Sequence, residues 1–335
     1  INPEAYEFYL KAKHKYAKRE NTDDTVIVRG LLHKAIELDD NLIVAKDLLG
    51  WTYSTTGDYD KAMGIYTPAL KQAEKIDDKV GMRYGLNSIG VVHYYKGNYD
   101  KALDYYGRSR AILEEIGDKR GMGAILGNIG SVYSDKGDVG TALDYLERSL
   151  EIKEELGDKG GMGSVLNNIG LAYLEKGDYE KALDYYDRSL RIAEELDAKH
   201  LMGTTLSGIG HMHWNKGDLD TALDYYERSL AIAEELGDKR GMGRSLLSIG
   251  HMHWNKGDYE KALEYLEKSL SIQKEIGLGE GSLMLASTTY LYLTYKHIGK
   301  EYNVNEIHTL IKETENIEFE LNLRLYELLE DTSYL

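Results

Sequence analysis

Residues 119–158 read KRGMGAILGNIGSVYSDKGDVGTALDYLERSLEIKEELGD, and this stretch decides the fold. Met122, Ile125, Leu126, Ile129, Val132 and Tyr133 recur at mixed three- and four-residue spacing, which puts them on one face of a helix. Lys136-Gly137-Asp138 then stops that helix. Glycine takes the left-handed C-cap conformation at no steric cost, and aspartate caps the helix that follows. Ala142, Leu143, Tyr145, Leu146, Leu150 and Ile152 supply the apolar stripe of a second helix. Gly157-Asp158 closes the unit with the same chemistry. Two helices can approach closely only where neither carries bulk at the crossing, so Gly130 is expected to face Ala142.

The same unit recurs on both sides. An Ile-Gly pair places glycine at 90, 130, 170, 210 and 250, a step of 40 residues. Glycine followed by Asp or Asn falls at Gly57, Gly97, Gly137, Gly177, Gly217 and Gly257, and alanine falls at Ala62, Ala102, Ala142, Ala182, Ala222 and Ala262. An isolated hairpin of helices cannot bury both faces, so neighbouring copies must stack. The expected fold is all-α: a right-handed superhelical solenoid of about eight helix–turn–helix repeats with a C-terminal capping helix. Residues 1–40 form an atypical first repeat, 41–277 six regular repeats, 278–316 a degenerate repeat turning near Gly299-Lys300, and 317–335 the cap.

The pattern Leu126-x-x-Ile129-Gly130-x-x-Tyr133, then Gly137-Asp138, Ala142 and Leu146, resembles the tetratricopeptide repeat. Two departures matter. Glu154 stands where the family usually has its closing proline, and the period is 40 residues instead of about 34. The six extra residues add about 9 Å of helix. These long units, with Glu-Glu-Leu-Gly-Asp-Lys at 154–159, resemble the spindle-orientation scaffold family (Pins-type), whose groove binds extended peptides. The opening Asn2-Pro3-Glu4-Ala5-Tyr6, His33-Lys34-Ala35-Ile36-Glu37-Leu38-Asp39 and the closing Leu325-Tyr326-Glu327-Leu328-Leu329 are similar to the ends of helical-repeat tails on bacterial class III nucleotidyl cyclases.

Composition narrows the function. The 335 residues carry a formal net charge of −16, which opposes nucleic-acid binding and docking on an anionic membrane. There is no cysteine, so disulfides and thiolate metal sites are excluded. No run of about 18 apolar residues is present, and no signal-peptide pattern opens the chain. A cytoplasmic location is expected. The sequence begins at Ile1 instead of Met, which fits a fragment of a longer protein.

The tetratricopeptide pattern implies a concave groove lined by first-helix positions. These are Asp47 and Trp51; Asn87, Val91 and Tyr94; Gly127, Ser131 and Ser134; Asn167, Leu171 and Leu174; Ser207, His211 and Trp214; and Leu247, His251 and Trp254, with Arg244 at the start of the last helix. Aromatic area gives affinity and polar groups give register. The octet His-Met-His-Trp-Asn-Lys-Gly-Asp occurs at 211–218 and again at 251–258. His211 and His213 are two residues apart and point to different helix faces, so a metal site is not expected. His213 and His253 read as core, and His211, Trp214, His251 and Trp254 as one groove patch.

Other repeating features read as architecture. Glycine-rich turns such as Gly157–Gly163 and Gly277–Gly281 lack a preceding strand and do not match the phosphate-loop pattern. Carboxylate pairs such as Glu154-Glu155 and Glu194-Glu195 read as solvated helix ends. The recurring base at Arg108, Arg148, Arg188, Arg228 and Lys268 has an acid four residues earlier, a local i,i+4 pair. The expected function is therefore a non-catalytic, cofactor-free scaffold that binds an extended peptide or helix of a partner protein. The alternative is a regulatory or oligomerising tail of a signalling enzyme such as a nucleotidyl cyclase, associating through its terminal repeats.

Overall fold

The structure, a computed structural model, describes residues 2–17, 22–275, 282–314, 317 and 319–330. Every element among them is helical. Successive pairs are α1 (Pro3–Ala17) with α2 (Thr22–Leu38), α3 (Ile43–Ser54) with α4 (Tyr59–Lys75), and α5 (Lys79–Tyr95) with α6 (Tyr99–Ile116). Next come α7 (Lys119–Asp135) with α8 (Val139–Glu155), α9 (Lys159–Glu175) with α10 (Tyr179–Glu195), and α11 (Lys199–Asn215) with α12 (Leu219–Leu236). The series ends with α13 (Lys239–Asn255) and α14 (Tyr259–Glu275), α15 (Ser282–Ile298) and α16 (Val304–Glu313), and a single helix α17 (Phe319–Leu329). From α1 to α16 each helix packs on its chain neighbours, from α3 to α15 each first helix also touches the first helix of the next pair, and α17 packs on α15, so the pairs stack as a solenoid.

The turns follow from the sequence chemistry. Gly137 has φ +78°, and the Asp138 side chain accepts the Thr141 backbone N–H at the start of α8. The same cap recurs at Asp58, Asp78, Asp118, Asp158, Asp178, Asp218 and Asp238. Asp77 and Asp197 adopt positive φ, 53° and 49°, at the junction position that Gly117, Gly157 and Gly237 hold elsewhere. The glycine-rich turn at 277–281 lies outside the described residues.

Within each pair the Ile-Gly glycine admits a large second-helix side chain. A Cβ on Gly130 would stand 2.7 Å from Leu146 Cγ and 3.1 Å from the Ala142 carbonyl oxygen, so both residues crowd this glycine. A buried serine ties the helices together about two turns earlier in the first helix: the Ser149, Ser189, Ser229 and Ser269 hydroxyls donate to the carbonyls of Gly123, Gly163, Gly203 and Gly243 at 2.6–2.8 Å. Lysines at the start of first helices reach glutamates at the end of their second helices, as in Lys119–Glu155 at 3.1 Å and Lys199–Glu235 at 2.7 Å. One member of each glutamate pair thus has a structural partner. Arg148, Arg188, Arg228 and Lys268 meet the acid four residues earlier, whereas Arg108 turns to Glu74 of the preceding pair.

The stack winds far enough for distant pairs to meet. The Arg240 guanidinium at the start of α13 lies 3.6 Å from the centre of the Tyr95 ring at the end of α5. Leu283 of α15 packs against the core formed by α4, α5 and α6. A cavity of about 550 Å³ opens where these parts face each other, between Arg29, Asp58 and Lys96 on one side and Lys239 and Glu275 on the other. No described helix is long and apolar enough to cross a membrane.

Candidate peptide-binding channel

First helices line the inside of the winding. Residues from non-adjacent pairs meet there. Tyr94 and Tyr95 on α5, Asp135 on α7, His211 on α11, and Arg240 and Arg244 on α13 share one electrostatic environment. Water reaches Arg244 and Asp135, which are exposed. Protein nevertheless surrounds them, and that enclosure pushes the Asp135 carboxyl up against the opposing pull of Tyr94, Arg244 and Arg240. The like charge of Arg240 is the main reason the Arg244 guanidinium sits below its usual range.

The residues expected to line a groove fall into three groups. Trp51, Leu171 and Leu247 are half-buried against core clusters, and Val91 and Leu174 are buried, so these side chains serve packing between pairs. Gly127 and Ser134 are also buried. The Ser134 hydroxyl donates to Glu175 at 2.8 Å.

Asp47, Asn87, Ser131 and Asn167 belong to a polar ladder that climbs from one first helix to the next. Ser88 donates to Asp47 at 2.7 Å, Asn128 to Asn87 at 2.9 Å, and Asn168 to the Ser131 hydroxyl at 2.9 Å. Asn167 donates to Asn168 at 3.3 Å, and its own carbonyl oxygen is buried without a hydrogen-bond partner. Burial pushes the Asp47 carboxyl up to about 6, against its bond from Ser88 and the charge of Arg83. Ser207 is half-buried in the corresponding region of α11.

The third group is aromatic. His211 stacks on Trp214 at 5.1 Å between ring centres, Trp214 meets the edge of His251 at 5.0 Å, and His251 lies 4.1 Å from Tyr290. Trp254 packs on Tyr290 at 5.7 Å. The two histidines of each octet diverge: His213 and His253 stack on Tyr225 and Tyr265 of the second helices. His253 is buried, but His213 is only half-buried, so it is less of a core residue than its sequence position implied.

The expected four-residue patch is not uniformly accessible. His251 and Trp254 are 7% and 9% exposed, and the Arg324 guanidinium of α17 lies 4.8 Å from the Trp254 ring centre. The C-terminal helix therefore covers the α13 half of the patch. Leu321, Leu325 and Leu328 hold it there in the apolar core with Trp254 and Tyr290. His211 and Trp214 stay half-buried on the uncovered side.

Tyr95, Asp135 and Arg240 are absent from the sequence-derived lining. A signal for Tyr95 was available, because its counterparts in later copies are Asp135, Glu175, Asn215 and Asn255. Arg240 gave no such signal, since Arg120 occupies the same position three copies earlier.

The tetratricopeptide-repeat family matches overlapping windows at residues 81–155, 121–195, 161–235 and 201–275, and a second tetratricopeptide-repeat form matches residues 47–80. No curated protein sequence matches the chain. Among solved structures, a Rap protein complexed with competence and sporulation factor is similar at 18% identity and a TM-score of 0.68. That match covers 98% of this chain and 90% of the other. The hetero-tetramer Cut9–Hcn1 of the APC/C is similar at 13% identity and TM-score 0.65, over 98% of this chain and 54% of that one. A signal-transduction ATPase from Pyrococcus horikoshii with a tetratricopeptide repeat sensor is similar at 17% identity and TM-score 0.56, over 100% and 48%. These likenesses concern the fold. The chain belongs to the tetratricopeptide-repeat family.

Proposed function

We propose, from the premise that this is a tetratricopeptide-repeat protein, that the chain is a non-catalytic interaction module holding an extended peptide or a helix of a partner in its inner channel. The observation that carries this reading is where the copies differ. Caps, glycine crossings, buried serines and lysine–glutamate pairs repeat almost unchanged. The inner positions vary from Asp47 through Asn87, Ser131 and Asn167 to His211 and Trp214. A polar ladder beside an uncovered aromatic pair supplies hydrogen-bond register and an apolar anchor along one path. The channel near Trp254 is filled by α17, so the accessible anchor is Trp214.

The test is selection of peptides from a random display library on the whole chain, followed by affinity measurement on variants. Trp214→Ala should weaken the selected peptides by about tenfold or more, while Arg148→Ala on an exposed second-helix face should leave them unchanged. Equal effects of the two substitutions would place binding elsewhere and end the proposal.

A second reading, a regulatory or oligomerising tail, is favoured by one observation. Leu10, Val26 and Ile27 of the first pair are 46%, 66% and 52% exposed, so the terminal pair leaves large apolar side chains uncovered. Light scattering across a concentration series should then show a dimer that Ile27→Lys disperses; a monomer at every concentration counts against it.

A further inference from the structure

We propose that α17 is a built-in occupant of the inner channel, seated where a helix of the partner binds, and that a partner helix presenting leucines at i, i+4 and i+7 with an arginine at i+3 displaces it. The inference rests on the channel reading above and identifies the partner segment by the helix it replaces.

Position comes first. A helix that merely capped the array would continue the stack, as each earlier first helix does by packing on the second helix before it. α17 departs from this pattern, because its chief contact is α15, a first helix. Leu321, Leu325 and Leu328 are buried in one core with Trp254 and Tyr290, and the Arg324 guanidinium lies 4.8 Å from the Trp254 ring centre. Trp254 is the counterpart of Trp214, the open anchor of the proposed peptide path. Ring contacts run without a break from Trp214 through His251 to Tyr290, so that path leads under α17.

The fit of α17 names the chemistry of its replacement. The charge of Arg324 is met within α17 itself, by Glu327 at 3.0 Å, and the channel wall supplies the aromatic face on which the guanidinium rests. The fit is also incomplete. The Trp254 indole N–H and the Arg324 Nε–H are both buried without an acceptor. An unpaired buried donor weighs against the docked state, so a helix offering an amide or hydroxyl oxygen there is held more tightly. At the C-terminal end of α17, Lys296 Nζ donates to the Glu327 carbonyl at 2.8 Å and meets Glu330 at 3.0 Å, both in solvent, where such a tie holds weakly. A tethered helix competes at an effective concentration of about millimolar. Outside helices that fit no better than α17 are kept out, and one that satisfies the two unpaired donors enters.

The probe is a fluorescein-labelled peptide of residues 317–330, titrated by anisotropy into whole chains. Leu325→Asp should release α17 and raise probe affinity about tenfold or more, because a seat closed nine-tenths of the time lowers apparent affinity about tenfold. The chain has no cysteine of its own, so Lys296→Cys/Glu330→Cys can be joined by a bismaleimide to hold α17 down. The linked chain should not bind the probe, and the same chain before linking should. Equal affinity in linked and unlinked chains, or no binding to either, overturns the proposal even where Leu325→Asp fails to fold. Peptides selected for the channel should bind the linked chain about tenfold more weakly. If they depend on Trp214 but bind linked and unlinked chains alike, α17 is only a cap and the channel reading stands. If they are indifferent to Trp214→Ala, the channel reading fails first. A dimer that Leu325→Asp disperses and Ile27→Lys does not would make the occupant α17 of a second copy, and would overturn the partner assignment.

Discussion

Alanine at Gly90 should destabilise the solenoid, although alanine is the better helix former. Gly90 lies inside α5, and an added Cβ would stand 2.6 Å from Tyr106 Cε1 and 2.7 Å from Cδ1. Tyr106 is 1% exposed and fixed in the α5–α6 interface, so its ring cannot swing into solvent. Replacing glycine in a helix interior gains about 1 kcal/mol from backbone entropy. Forcing a methyl into a packed interface costs about 1–3 kcal/mol. A Cβ contact nearly 1 Å inside ordinary van der Waals distance belongs at the upper end, so the net loss should be about 1–2 kcal/mol. Gly64→Ala is the control: it lies on the exposed face of α4 with nothing within 4 Å of the added carbon. It should show only the propensity gain, up to about 1 kcal/mol. Urea unfolding followed by far-UV circular dichroism should therefore shift in opposite directions for the two variants. A double-mutant cycle with Tyr106→Ala should be sub-additive by about 1 kcal/mol or more, because the ring is the obstacle. If Gly90→Ala stabilises as Gly64→Ala does, or the cycle is additive, the close-approach account of the repeat glycine is wrong.

Further outcomes follow from single positions. Asp197→Gly should stabilise by about 0.5–1 kcal/mol, because φ 49° is unfavourable for a residue with a side chain; an unchanged denaturation midpoint would show that no strain is stored there. Burial pushes the His211 imidazole down to about 4 and the His251 imidazole down to about 3. An unfolded histidine takes up its proton near pH 6.5. Their contribution to stability is therefore complete above that value and is lost as pH falls through 6.5 towards 4 and 3. His251→Gln should flatten the stability curve across that range, and a parallel curve would refute the assignment. Asp47 works in the opposite direction, since its raised carboxyl makes folding less favourable as pH climbs from about 4 to about 6. Asp47→Asn should stabilise the chain at pH 7 and have little effect at pH 4. A variant that is no more stable than wild type at pH 7 would sink that reading.

The fold was legible because the local chemistry is written out again and again. Gly137 with Asp138 specifies one cap, and the same pair at four equivalent places, with Gly97-Asn98 at a fifth, leaves no freedom for a different period. The glycine crossing at Gly130 could be expected from size alone, although the residue that presses on it most closely is Leu146, with Ala142 contributing its carbonyl. Half of the aromatic patch was legible for the same reason, since position within a copy decides whether a ring points inward. What position cannot reveal is what a distant part of the chain lays over that ring. Trp214 and Trp254 sit in identical octets, yet only Trp254 receives Arg324 from a helix outside the regular series.

Arg120 and Arg240 carry that argument further. Both follow an Asp-Lys pair, both precede Gly-Met-Gly, and both begin a first helix. Arg120 is exposed, whereas Arg240 lies flat on Tyr95. The difference arises from winding, a small rotation accumulated over each successive copy, so it belongs to the number of copies and not to any one of them. Four copies separate Tyr95 from its counterpart in the repeat that begins at Lys239, and that separation brings α13 round to α5. A solenoid one repeat shorter between these points would keep every local contact and lose the guanidinium–tyrosine meeting. Deleting residues 159–198, one whole period within the array, should therefore preserve helicity while abolishing the coupling between Arg240→Gln and Tyr95→Leu in a double-mutant cycle. Persistence of that coupling in the shortened chain would mean that the two residues interact without being brought together by the winding.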